Sequence, residues 1–265
     1  MIPKFTPYNM GNHILILIYG VLGRSLRFTH KNHHENIFQP LSDLGINYSI
    51  TYINNNIENT LIDGLPQDCN YMKIVKDNQY IEMRQKAVDI EIVKRYPNYS
   101  QLFKSKNIAL KNLNPARNSF IETVVADYLV DYQHSKGYKK VIAFCSDNYF
   151  GKKLHKQYLT EDKNIILCSD SNPAIGGITN GFYIGNPLNI SRLISSFCIL
   201  HKRFFGYENI LQHNAARYKL SIKVIPFRFI KIRNNKTTSY SQRNSLPFKK
   251  NKDIILKFKN EQNDT

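Results

Sequence analysis

Ile14-Leu15-Ile16-Leu17-Ile18-Tyr19 is a continuous apolar run with no polar alternation. A strand that reads this way is buried on both faces, so its sheet needs helices above and below it. Gly20-Val21-Leu22-Gly23-Arg24-Ser25 then reads as a loop. Thr29 through Leu41 reads as a helix, with Thr29 as N-cap and Pro40 near its end. Asn47–Ile53 alternates and is β-rich, a second strand. A β-loop-α-β opening favours a parallel pair in a doubly wound sheet.

The rest of the chain continues the pattern. Asn54–Gln67 reads as a polar loop. Gln79–Arg95 reads as a helix, with Ile81, Val88, Ile92 and Val93 on one broad face. A second helix starts at Asn114-Pro115, runs from about Arg117 to His134, and ends at Gly137. Strands are expected over Lys140–Cys145, Asn164–Cys168 and Ile178–Gly185. Helices are expected over Pro187–Lys202 and Tyr207–Tyr218, followed by an extended Leu220–Ile232. The expected fold is α/β, a mostly parallel, doubly wound, Rossmann-like sheet flanked by helices. One domain would cover residues 1–233, and 234–265 would be a basic, poorly ordered tail.

The net charge is +17 and the pI near 9.6. Residues 234–265 contribute +4, which leaves +13 on residues 1–233. The basic balance therefore belongs to the body. It implies affinity for polyanions, acidic surfaces or phosphate-bearing substrates. No zinc-finger, RNA-recognition or homeodomain pattern is present. Cys69, Cys145, Cys168 and Cys198 form no Cys-x-x-Cys pair, and Cys145, Cys168 and Cys198, in apolar runs, read as buried free thiols in a reducing compartment. The apolar stretch His13–Gly23 is shorter than the roughly 20 residues a membrane span needs. A cytoplasmic location follows as an expectation.

Four segments carry candidate chemistry. The Gly20–Arg27 loop lies where a doubly wound sheet receives a nucleotide. Gly20 and Gly23 permit close backbone approach, and Arg24 or Arg27 can pair a phosphate. The plainer reading is a strand-to-helix turn with solvated arginines. The second segment, Val141–Phe150, is an apolar strand that stops on Asp147. A phosphate-bound Mn or Mg ion takes one or two carboxylates, and Asp147 is the candidate ligand. Lys152 just beyond can instead steady a diphosphate without metal. The plainer reading makes Asp147 a helix cap near Gly151.

The third segment is Gly176-Gly177-Ile178-Thr179-Asn180. Gly176 and Gly177 open the backbone to another molecule, and Thr179 and Asn180 offer groups that read sugar hydroxyls. The plainer reading is a hairpin turn. A general base would come from Asp170 or Glu208, and Glu208 also reads as a first-turn helix carboxylate. The fourth segment is His30, His33 and His34, which share one helical face, as ligands of a metal site do. With no fourth ligand evident, that face reads as solvated.

Taken in order, Ile14–Gly23, Arg24–Arg27 and the helix ending near Pro40 resemble the nucleotide-binding segment of GT-A type glycosyltransferases. The resemblance is nearest to the glycosyltransferase-like proteins of giant DNA viruses of the mimivirus group. Val141–Phe150 is similar to their acidic motif, and Gly176–Gly185 resembles their sugar- or acceptor-facing loop. That family usually carries Asp-x-Asp, whereas Cys145-Ser146-Asp147 supplies only the second carboxylate. The resemblance implies transfer of a sugar from a nucleotide-diphosphate sugar to a glycan or protein acceptor. It places Asp147 at metal and diphosphate, and Asn180 and Asp170 near the sugar. A viral origin would put the protein in the host cytoplasm or on the virion. The alternative is a non-catalytic basic protein on the same fold that binds nucleic acid or a virion surface. A DNA-processing enzyme is disfavoured because clustered carboxylates for two metals are not found.

Overall fold

The computed structural model describes residues 13–57, 61–62, 65–66, 69–97, 114–136, 140–171, 178–197, 207–232 and 238–239. The strands are β1 (Ile14–Gly20), β2 (Tyr48–Asn56), β3 (Leu61–Ile62), β4 (Leu65–Pro66), β5 (Gln79–Arg84), β6 (Lys140–Cys145), β7 (Asn148–Phe150), β8 (Ile165–Ser169), β9 (Phe182–Gly185), β10 (Ser221–Ile225), β11 (Phe229–Ile232) and β12 (Thr238–Ser239). The helices are α1 (Leu22–His33), α2 (Gln39–Asp43), α3 (Tyr71–Val75), α4 (Gln85–Arg95), α5 (Asn114–Lys136), α6 (Gln157–Thr160), α7 (Pro187–Ile194) and α8 (Tyr207–Arg217).

A seven-stranded sheet runs in the order β10-β8-β9-β6-β1-β2-β5. Pairing is parallel at β6-β1-β2-β5 and at β10-β8, and antiparallel only where β9 joins β6 and β8. This is the mostly parallel α/β sheet that the opening apolar run requires. Its two faces are both buried, and β1 divides its side chains between them. Leu15, Leu17 and Tyr19 pack with residues of α4, α5, α7 and α8, while Ile14, Ile16 and Ile18 pack with residues of α1, α2 and α3. Strand β6 does the same, with Val141 and Ala143 on one side and Ile142 and Phe144 on the other. The period of two in a pleated strand sends alternate side chains to opposite layers.

Two corrected boundaries bear on the site; besides them, Asn54–Gln67, expected as a polar loop, holds the end of β2 with β3 and β4, and the helix expected over Pro187–Lys202 ends at Ile194. The Gly20–Ser25 stretch is not a loop. Only Val21 separates β1 from α1, so Gly23, Arg24 and Arg27 are helical and Thr29 lies mid-helix rather than at an N-cap. The glycines suggested a turn, but the donor Leu22 N–H is satisfied by Asn54 Oδ1 of β2 at 3.0 Å, and the helix starts there. The second correction is Gln79–Arg84, expected as helix and found as β5 beside β2. Its Glu, Met and Arg are good helix formers, but pairing with β2 overrides that weak preference.

Helix α1 passes through a π-turn at His34–Phe38 into α2. Pro40 has no N–H to give to the carbonyl four residues earlier, that of Asn36. Leu154 N–H donates to that carbonyl at 2.8 Å instead, tying the chain after β7 to this helix. A smaller sheet, β12-β11-β7, closes over the same flank. Thr238 and Ser239 belong to it, although they fall within the expected tail, and most of the remainder of that tail lies outside the described residues.

Candidate functional site

The parallel strands β1, β2, β5, β6, β8 and β10 all end on one edge of the sheet, and antiparallel β9 begins there. Topology therefore gathers Gly20, Asp147, Asp170 and Thr179-Asn180-Gly181 on that edge. Two strand steps of about 4.8 Å separate β6 from β8, which puts the Asp147 and Asp170 turns roughly 10 Å apart.

The Asp147 turn is held from three sides. On the first, α1 presents Thr29, Asn32 and His33 to the backbone. Thr29 Oγ1 donates to Ser146 O at 2.7 Å, and His33 Nε2 to Asn148 O at 2.7 Å. Asn32 bonds Phe150 both ways, donating from Nδ2 at 2.9 Å and accepting at Oδ1 at 2.7 Å. On the second side, the glycine that precedes β9 is locked to the turn. Gly181 O accepts from Cys145 N at 3.0 Å and from Asn148 Nδ2 at 2.7 Å. The two segments picked out in the sequence are thus joined directly. On the third side, Ile232 N donates to Asp147 O at 2.8 Å. Strand β11 also sets Lys231 opposite Asn148, with Lys231 Nζ 3.7 Å from Asp147 Oδ1. Asp147 is 7% exposed, so this carboxylate is largely withdrawn from water.

Beneath Gly181 lies a buried polar cluster. Glu122 of α5 is fully buried and accepts from Tyr19 Oη at 2.7 Å and Tyr183 Oη at 3.4 Å. Tyr183 Oη in turn accepts from Gly181 N at 3.2 Å. Burial, with the nearby Glu122 carboxyl group, holds the Tyr19 hydroxyl well above its ordinary pKa. Burial likewise pushes the Cys145 thiol up to about 12, so it stays protonated. Sequence reading missed Glu122, which looked like one more polar residue on a long helix.

On the β1–β2 side, Asn54 joins three groups. Its Oδ1 accepts from Leu22 N, and its Nδ2 donates to Tyr71 Oη and Tyr80 Oη, each at 3.0 Å. Tyr80 Oη donates to Glu82 Oε2 at 2.6 Å, and burial with that carboxylate raises the Tyr80 pKa. Arg24 is partly buried on α1. Arg27 is exposed, with its guanidinium carbon 4.4 Å from the Phe28 ring centre.

The remaining expected site residues are not all brought to this turn. Lys152 follows β7 between residues bonded to Asn32 and Asn36, against the C-terminal half of α1 and away from Gly20. Asp147 caps no helix near Gly151, because β7 follows it at once. Glu208 sits in the first turn of α8, where no hydrogen bond or ion pair joins it to Asp147 or Asp170 among the described residues. Asp170 is on the site edge, but its Oδ2 takes both Arg228 Nε and a terminal guanidinium nitrogen at 2.9 Å. Gly176 and Gly177 lie outside the described residues. His33 is fully buried rather than solvated, and burial drops its pKa to about 3.

A divalent metal on a diphosphate would need oxygen ligands here. Asp147 offers one carboxylate, already faced by an ammonium. Cys145, where a second carboxylate would stand, offers no oxygen ligand. No group of three His, Cys, Asp or Glu residues that could hold a metal occurs among the described residues. This donor set fits a dication poorly. No helix among the described residues is long and apolar enough to cross a membrane.

No protein-family model and no curated protein matches the chain. Solved structures do. Mouse xyloside xylosyltransferase 1 in its apo form aligns over 80% of this chain and 84% of its own, with 7% identity and a TM-score of 0.41. Core-mannan synthase A from Aspergillus fumigatus, in an Mn/GDP form, aligns over 92% and 80% with 10% identity and a TM-score of 0.47. A putative glucose-1-phosphate thymidylyltransferase from Bacillus anthracis, in complex with sucrose, aligns over 83% and 89% with 11% identity and a TM-score of 0.40. These likenesses are distant, and the reading below rests on this chain's own residues.

Proposed function

We propose that this chain is a GT-A-like nucleotide-sugar transferase that moves a sugar from a nucleoside diphosphate to a hydroxyl of a glycan or protein. The observation that carries the reading is the locked meeting of the Asp147 turn with Gly181 at the strand-end edge. Open α/β sheets bind ligands in the crevice beyond those strand ends. In this reading the diphosphate lies over Gly20 and the Asp147 turn. The nucleoside lies on the β1–β2 side near Asn54 and Glu82, and Thr179 and Asn180 face the sugar. Arg24 reaches the phosphates from α1. Asp170, on the same edge, takes the acceptor proton. Rate enhancement comes mainly from positioning and from neutralising the leaving diphosphate.

The test is a thermal-shift panel of nucleotide-diphosphate sugars on wild type and Asp147→Ala. The reading expects one donor to stabilise wild type and to lose that effect in the variant. The second reading, a non-catalytic basic protein binding nucleic acid or a virion surface, is favoured by the +17 charge and by Cys145 at the first acidic position. It expects no donor effect, and salt-sensitive nucleic-acid binding unchanged in Asp147→Ala.

A further inference from the structure

We propose that Lys231 supplies the positive charge for the donor diphosphate in place of a divalent metal, so that donor binding is metal-independent. The proposal rests on the transferase reading above. It starts from where the lysine is. Strand β11 reads Phe229-Ile230-Lys231-Ile232, and its other three members are buried. Lys231 occupies the same strand face as Phe229, which packs in the core beside Phe150. A lysine at such a position loses hydration, and that loss must be offset by an anion.

Two neighbours define what the ammonium faces. Asp147 Oδ1 is 3.7 Å from Nζ. A methyl group placed on Gly181 would lie 3.7 Å from the same Nζ. The ammonium is therefore at the junction of the two segments that build the site, and its side chain is 24% exposed. It is held there by the backbone, through the Lys231–Asn148 pairing and the bond from Ile232 N to Asp147 O.

Placement also argues against a dication at the same spot. An ammonium within 4 Å of Asp147 repels a second cation and occupies the anion such a cation would need. The other position of the expected acidic pair is Cys145, which brings no carboxylate. Asp147 orients the ammonium at the site edge, where its partly exposed side chain can meet a phosphate oxygen. A lysine is well suited to this as a compact point charge with three donors.

The test is calorimetric titration of the full chain with the common nucleoside diphosphates, each in EDTA and in manganese. The proteins are wild type, Lys231→Gln and Lys231→Arg. The expected result is one nucleotide that binds wild type in EDTA, with a Kd within about twofold of the manganese value. Lys231→Gln should weaken it about tenfold or more in both buffers, and Lys231→Arg should regain most of the loss. Melting curves of the free proteins check the fold of each variant, and the buffer comparison on wild type stands even if Lys231→Gln does not fold. Binding that requires manganese overturns the proposal. So does a folded Lys231→Gln that binds as well as wild type, or better in manganese once the competing ammonium is gone. In those cases the transferase reading survives. If no nucleotide binds wild type in either buffer, both fall together.

Discussion

His33 Nε2 donates to the carbonyl oxygen of Asn148 across 2.7 Å, so an imidazole on the first helix sets the backbone immediately after Asp147. The ring is fully buried, between Phe144 and Phe150. Its other nitrogen, Nδ1, is buried with no hydrogen-bond partner. A proton added there would have no acceptor, which is why burial holds this histidine neutral down to about pH 3.

That depression has a defined sign for stability. The unfolded histidine takes a proton near its ordinary pKa of about 6.5, whereas the folded one does not until about 3. The unfolded state therefore binds more protons between those values. Stability contributed by the neutral ring is complete above about pH 6.5 and falls with pH below it. The slope approaches about 1.4 kcal/mol per pH unit. Urea denaturation at pH 7 and pH 5 should show wild type losing about 1–2 kcal/mol more than His33→Gln over that interval. Equal losses would contradict the assignment.

Gly181 has φ +89°, and a Cβ there would fall 2.8 Å from Cys145 Sγ. Gly181→Ala should cost about 2–4 kcal/mol from backbone strain and overpacking together. Gly45 also has a positive φ, +65°, but open space around its Cβ position, so Gly45→Ala should cost only about 1–2 kcal/mol. Adding Cys145→Ala to Gly181→Ala should recover the packing part and leave the strain. Chemical denaturation of the three variants and the double variant measures both parts.

Glu122 anchors the hydroxyls of Tyr19 and Tyr183 in the core below the site. Glu122→Ala leaves those hydroxyls buried without their acceptor and should destabilise by about 3 kcal/mol. Tyr19→Phe alone should cost about 1–2 kcal/mol. Because the two groups share one hydrogen bond, the double variant should fall short of the sum by at least about 0.5 kcal/mol. Additive effects would mean the pair is not coupled.

The sheet was legible in the sequence where a strand is buried on both faces. Ile14–Tyr19 and Val141–Phe144 have no polar side to confuse the reading, and both are strands. Gln79–Arg84 was illegible because an edge strand keeps polar residues that also suit a helix. The position of Asp147 at a strand end was legible because a carboxylate after an apolar run is a local pattern. The glycine turn singled out, Gly176-Gly177, lies outside the described residues, and the glycine bonded to the Asp147 turn is Gly181. Lys231, Glu122 and Asn54 were not legible. Each acts through a partner far along the chain, and nothing near a lysine in an extended run says which carboxylate it will meet. The Asn54 bond to Leu22 N also explains why the glycine-rich start of α1 misled. The signal that begins the helix is on another strand.

The most direct test of the central claim is nucleoside diphosphate release from a panel of nucleotide-diphosphate sugars, with wild type and Asp147→Ala compared at equal folded concentration. The account predicts release from one donor by wild type and a loss of about 100-fold or more in the variant. Release from no donor by folded wild type, or equal release by both proteins, would contradict it.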